Sequence, residues 1–116
     1  MAEKIVLQTP RKLTTSYVLP AHQAIEVGGA YREAALIVSV LSNSYAGTSL
    51  SLETASEPLE GSFLPLPQDT SSLSLATGAG VYFLYLRNLS RYLRYRVQGS
   101  PVNVELVAEV WLKKRI

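Results

Sequence analysis

The stretch Val102-Asn103-Val104-Glu105-Leu106-Val107-Ala108-Glu109-Val110-Trp111-Leu112-Lys113 decides the fold class. Val102, Val104, Leu106, Ala108, Val110 and Leu112 form one alternating set; Asn103, Glu105, Val107, Glu109, Trp111 and Lys113 form the other. Successive side chains of a strand point to opposite faces, so the run predicts a long strand with a wholly apolar inner side. Outward from it the same device recurs in shorter form. Thr48 to Glu53 places Leu50 and Leu52 on one face, Ser71 to Ala76 does so with Leu73 and Leu75, and Leu93, Tyr95 and Val97 alternate with Tyr92, Arg94 and Arg96. Gly and Pro punctuate the runs at Gly28-Gly29, Gly47, Pro58, Pro65, Pro67, Gly78 and Gly99-Ser100-Pro101. Tyr31 to Leu41 fits a helix through Ala34, Ile37, Val38 and Leu41, and a strand through Leu36, Val38 and Val40. Its β-branched second half decides for strand.

About eight or nine such strands without a long helix predict an all-β chain. The architecture expected is a two-sheet antiparallel β-sandwich of the jelly-roll type with an N-terminal arm. Residues 14–116 form the single domain, and residues 1–13, interrupted by Pro10 and Arg11-Lys12, are either a free arm or an edge strand. Fully extended, such an arm reaches about 40 Å. The last two strands are expected to pair as a hairpin around Gln98-Gly99-Ser100-Pro101. In that register Val97 faces Val102, Tyr95 faces Val104, and Arg94 meets Glu105 on the outer side.

A chain of 116 residues, 47% hydrophobic, can bury a core of its own. Disorder is excluded by that apolar content, and a disulfide scaffold or thiolate metal site by the absence of Cys. Charged residues are 17%, below the ~25% of an average domain, which suits a surface that packs against something else. The net charge of +2 is unevenly placed: from Arg87 onward seven basic and two acidic residues leave +5, and the first 86 residues carry four and seven, leaving −3. A basic end on a mildly acidic body is suited to an oriented contact with an acidic surface. No apolar run reaches the ~20 residues of a membrane helix, and the start has no secretory pattern, so synthesis in a cytoplasm and no membrane partner are expected.

Catalysis is not expected. His22 and Asp69 are the sole His and Asp, and no nucleophile elbow accompanies them. Glu53, Glu57 and Glu60 lack calcium-loop spacing, and Gly78-Ala79-Gly80 lacks the third glycine of a dinucleotide loop. No cofactor, metal or small-molecule substrate is therefore expected. The richer constellation is aromatic: Phe83, Tyr85, Tyr92, Arg94, Arg96, Val107 and Trp111 share outward phases, and in one sheet they would form a protein interface. The alternative is that the arm or a loop covers them as a second core. Glu105 and Glu109 among the arginines argue against a nucleic-acid face.

Ser44-Tyr45-Ala46-Gly47-Thr48-Ser49-Leu50-Ser51-Leu52-Glu53-Thr54-Ala55-Ser56, then Ser62-Phe63-Leu64-Pro65-Leu66 and Arg91-Tyr92-Leu93-Arg94-Tyr95-Arg96-Val97 before a long last strand, resemble a known family. It is that of the small jelly-roll decoration, or cement, proteins of tailed-bacteriophage capsids. The resemblance covers roughly residues 33–113 in strand order and phrasing, which other small sandwiches, sugar-binding modules included, also share. It implies a non-enzymatic virion protein on the outer capsid surface, a homo-oligomer, most often a trimer, bound to the major capsid protein. Lys4, Arg11, Lys12, Lys113, Lys114 and Arg115 are the candidate capsid contacts by charge and position. A carbohydrate-binding module is the alternative reading, and single-stranded nucleic-acid binding the third.

Overall fold

Period-two alternation is realised across the chain, and burial follows it. The computed structural model describes residues 2–27, 31–66, 72–87 and 89–114. Ten strands are assigned among these: β1 (Ala2–Leu13), β2 (Tyr17–Val18), β3 (Ile25–Glu26), β4 (Tyr31–Asn43), β5 (Ser49–Ala55), β6 (Leu64–Pro65), β7 (Ser72–Ser74), β8 (Gly80–Arg87), β9 (Tyr92–Gln98) and β10 (Val104–Lys114). Two 3-10 turns, Ala21–Gln23 and Glu60–Ser62, are the helical content of these residues.

The strands form two antiparallel sheets packed as a sandwich. One has the order β1-β10-β4-β8. The other is β2-β9-β5-β6, with β3 also on β9 and β7 also on β5. β2 and β3 pair successive parts of β9, and Leu19 N–H to Tyr95 O (3.1 Å) and Val27 N–H to Arg91 O (2.8 Å) extend the ladder, so they act as one interrupted strand. β6 and β7 stand in the same relation to β5, with Leu66 and Leu75 N–H continuing the pairing. Counted so, the first strand pairs with the last, β2/β3 with β9, β4 with β8, and β5 with β6/β7. This nesting of antiparallel pairs is the jelly roll.

Between the sheets lies one core. Leu50, Leu52, Leu93 and Val97 from one sheet meet Leu36, Val38, Leu86, Val104, Leu106 and Val110 from the other, all buried. Burying a side chain of that size contributes about 1.5–3 kcal/mol. Tyr95 crosses the sandwich from β9, and its hydroxyl donates to Gln8 Oε1 on β1. Burial pushes its phenol well above the ordinary tyrosine range, so the hydroxyl stays a donor.

The expected β9–β10 hairpin does not form. β9 lies between β5 and β2/β3, whereas β10 lies between β1 and β4 in the opposite sheet. Residues 99–103 carry the chain across the end of the sandwich, where Val102 is buried. A Cβ at Gly99 would stand 3.0 Å from Val102 Cγ2 and 3.3 Å from Thr48 Cα, which explains a glycine at that crossing. The inner faces of the two strands oppose each other across the core rather than side by side. Arg94 consequently has no contact with Glu105 and pairs elsewhere.

Residues Ala2–Leu13 are an edge strand on β10. Register shifts between Val6 and Gln8 and between Gln8 and Arg11 bulge that edge around Pro10, whose missing N–H cannot serve a ladder.

Candidate interaction surface

In the four-stranded sheet the described side chains that turn away from the core share one outer surface, and the register places them in rows. Lys4, Trp111, Ala35 and Tyr85 form one row across β1, β10, β4 and β8; Val6, Glu109, Ile37 and Phe83 form the next. Val107, Ser39 and Val81 continue it. Phe83 is 70% exposed, Val81 60% and Tyr85 51%, with Val6 at 46% and Trp111 at 38%. Isolated exposed apolar side chains are ordinary, but a contiguous set on a regular sheet is a feature of interaction surfaces. The Lys4 ammonium lies 5.8 Å from the Trp111 ring centroid and 4.0 Å from Glu109, so charge rims the aromatic row at β1.

Adjacent strands stand ~4.8 Å apart, so Trp111 and Tyr85 flank the small Ala35 at about 9.6 Å between backbones. That row thereby sets one small side chain between two aromatic ones.

The outer side of the other sheet is built differently. On β9, Arg94 is 4% exposed; its Nε donates to Glu53 Oε1 and its Nη1 to Glu60 Oε1, both at 2.7 Å. Its guanidinium carbon lies 4.2 Å from the Phe63 ring centroid. Arg96 Nε binds the second Glu53 oxygen at 3.2 Å. Glu60 also accepts from Ala21 N–H at 2.8 Å, so one carboxylate ties both 3-10 turns to β9. The hydrogen bond from Arg94, then that from Ala21, holds the Glu60 carboxyl below its ordinary value. Burial alone would lower the Arg94 pKa, but its bonds to Glu60 and Glu53 outweigh that and raise it. Ala21, Ala55 and Phe63 form a second small core here, with Ala24 and Tyr92 against it. The Tyr92 hydroxyl donates to Glu26, which raises its pKa.

The expected seven-residue patch is therefore divided. Phe83, Tyr85, Val107 and Trp111 share the outer face of the four-stranded sheet, whereas Tyr92, Arg94 and Arg96 lie on the opposite side of the sandwich. There Arg94 is sealed beneath the two turns and Tyr92 half-buried, because the chain between β2 and β3 and that between β5 and β6 fold over β9. Exposed Val6 and Val81 and half-buried Ile37 complete that face. Their signal was the outward phase of runs read mainly for their inward residues.

The basic candidates also separate. Lys4 lies near the β1 end that pairs with Lys113, and Arg11 and Lys12 lie at the other end of β1, opposite Leu106 and Glu105. Arg11 stacks on Tyr17 at 4.2 Å and donates to its hydroxyl at 2.9 Å. Lys113 and Lys114 end β10, their side chains outside what the structure describes, and Arg115 lies outside the described residues. Asp69 does too, and His22 is exposed on a 3-10 turn. Among the described residues no three His, Cys, Asp or Glu side chains gather as metal ligands, and no helix is long and apolar enough to cross a membrane.

These features define a jelly-roll β-sandwich with one covered and one open outer face. No protein-family model matches the chain, and no curated protein does. Solved structures do match. The SPBc2 prophage-derived protein YomS is 14% identical with a TM-score of 0.60, over 97% of this chain and 94% of that one. Eiger TNF from S. frugiperda is 11% identical with a TM-score of 0.56, over 99% and 92%. The carbohydrate-binding module CBM29_1 from Piromyces equi is 9% identical with a TM-score of 0.50, over 94% and 90%. All three share the β-sandwich fold, and none is described as an enzyme.

Proposed function

We propose that this chain is a non-enzymatic structural protein of a phage particle, a capsid decoration protein. In this reading it associates with copies of itself through the outer face of the four-stranded sheet and binds a larger protein shell. The carrying observation is that face: Val6, Val81, Phe83, Tyr85 and Trp111 stand open to solvent on a regular sheet, with half-buried Ile37 among them. A soluble domain seldom leaves such a surface uncovered in its working state. The likeness to YomS supports the setting by placing the same fold in a prophage-derived protein.

Light scattering on a sizing column tests the self-association. The expected result is a homo-oligomer that Val81→Glu combined with Phe83→Glu converts to a monomer with an unchanged far-UV spectrum. A wild-type chain monomeric at high concentration overturns that half of the proposal. Sedimentation with purified capsids tests the other half, where co-pelleting is expected and its absence overturns it.

The exposed Trp111 and Tyr85 on either side of Ala35 favour a second reading, a carbohydrate-binding module that stacks sugar rings on these two side chains. It requires retardation in polysaccharide affinity gels that Trp111→Ala abolishes.

A further inference from the structure

The four sheet edges are not equally protected. β1 is bulged twice, contains Pro10 and carries Lys4, Arg11 and Lys12. Both edges of the other sheet are interrupted: β2 and β3 are two residues each, β6 two and β7 three. Short strands, bulges, prolines and basic side chains are the devices by which proteins discourage edge pairing. β8 has none of them along its length before Arg87. It runs eight residues, Gly-Val-Tyr-Phe-Leu-Tyr-Leu-Arg, in an unbroken register with β4 from Glu33↔Arg87 to Val40↔Gly80. Among the described residues β8 is paired on that side alone.

We infer that β8 is a strand-addition site, and that its occupant is β8 of a second copy of this chain. The inference rests on the self-association proposed above and narrows its contact to the β8 margin of that outer face, where Val81, Phe83 and Tyr85 stand. Antiparallel partners directly opposite each other point to the same face. A twofold axis through Phe83 keeps inward residues opposite inward ones. It sets Phe83 against Phe83 of the second copy, Val81 against Tyr85, and Tyr82 against Leu84. Aromatic–aromatic and aromatic–β-branched pairs are favourable cross-strand neighbours. Shifting the axis to Leu84 keeps the parity but sets Val81 against Arg87, and a one-residue slip turns core side chains outward. β8 carries a single charge, Arg87, and the Phe83-centred register sets it opposite Ala79, so no like charges meet. The two sheets then join into one eight-stranded sheet whose apolar outer faces are continuous. The contact is isologous and twofold, unlike the threefold order that the family resemblance implies.

The chain has no Cys, so single introduced thiols report on this contact without interference. Directly opposed residues have Cα atoms about 4.5–5.5 Å apart, within the ~4.4–6.8 Å that a disulfide spans. Ile37 and its counterpart would be three strand spacings apart, about 14 Å. Mild oxidation is expected to convert Phe83→Cys to a covalent dimer and leave Ile37→Cys monomeric on non-reducing gels. As Phe83→Cys alters the contact itself, hydrogen exchange on the wild-type chain gives a second readout. Backbone amides of β8 should slow by at least tenfold between dilute and concentrated protein, while those of β1 do not change.

Cross-linking at Ile37 instead, or an oligomer whose β8 amides exchange at a concentration-independent rate, overturns edge pairing and leaves self-association standing. A chain monomeric at all concentrations overturns both.

Discussion

At the residue scale, Arg94 shows how a charge is kept inside a small sandwich. It gives one hydrogen bond to a buried carboxylate, Glu53, and another to an exposed one, Glu60, and packs on Phe63. Desolvating an ion costs several kcal/mol, and what repays it is geometry of this kind. Removing the guanidinium leaves Glu53 buried beside Arg96 alone. Arg94→Leu is accordingly expected to lower stability by roughly 3 kcal/mol in urea denaturation. Leucine at both Arg94 and Glu53 should cost less than the sum of the single changes, giving a coupling of about 1–3 kcal/mol in a double-mutant cycle. None of this was legible locally. The outward phase of Arg94 was readable from its neighbours, but its partners come from 41 and 34 residues away, on elements whose placement requires the whole fold.

At the scale of elements, the inner residues of β4, β5, β8 and β10 were readable because burial on one face imposes period two directly on the chain. Leu36, Val38, Leu50, Leu52, Leu84, Leu86, Val104, Leu106 and Val110 are all buried as that phase requires. Pairing was a different matter. Leu93, Tyr95 and Val97 satisfy the same parity whether β10 lies beside β9 or across the core from it. Alternation reports which face is inward and is silent on the neighbour. Turns obey more local rules, and Gly78 is one: it has φ +89° and its N–H donates to Asn43 O at 2.8 Å just before β8. An L-residue is strained there, so Gly78→Ala is expected to cost about 1 kcal/mol, read as a lower urea midpoint at unchanged m-value. Since nothing lies within 4 Å of a Cβ built at that position, the cost is one of backbone conformation and not of crowding.

At the scale of the molecule, the two outer faces differ in how they meet solvent. One is closed by the 3-10 turns Ala21–Gln23 and Glu60–Ser62, drawn onto β9 through Glu60. Because the folded state lowers the pKa of this carboxyl, its contribution is complete above the ordinary value of 4.5 and is lost as pH falls through the lowered one. Amide exchange at Ala21 should therefore hold steady from neutral pH down to the ordinary value of 4.5, after correction for intrinsic rates, and speed up as pH falls further. Glu60→Gln, with no charge to lose, should flatten that acid response. The other face is open along its apolar rows, and the self-association proposed for it belongs to this scale. The amino-acid sequence by itself determined that the chain is a β-sandwich and which side chains turn inward, because burial on one face of a strand is written residue by residue. Tertiary structure alone decided that Arg94 and Tyr92 would be covered while Phe83, Tyr85 and Trp111 stayed open. The reason is that strands adjacent in the chain enter opposite sheets, and loops distant in the chain close over only one of them.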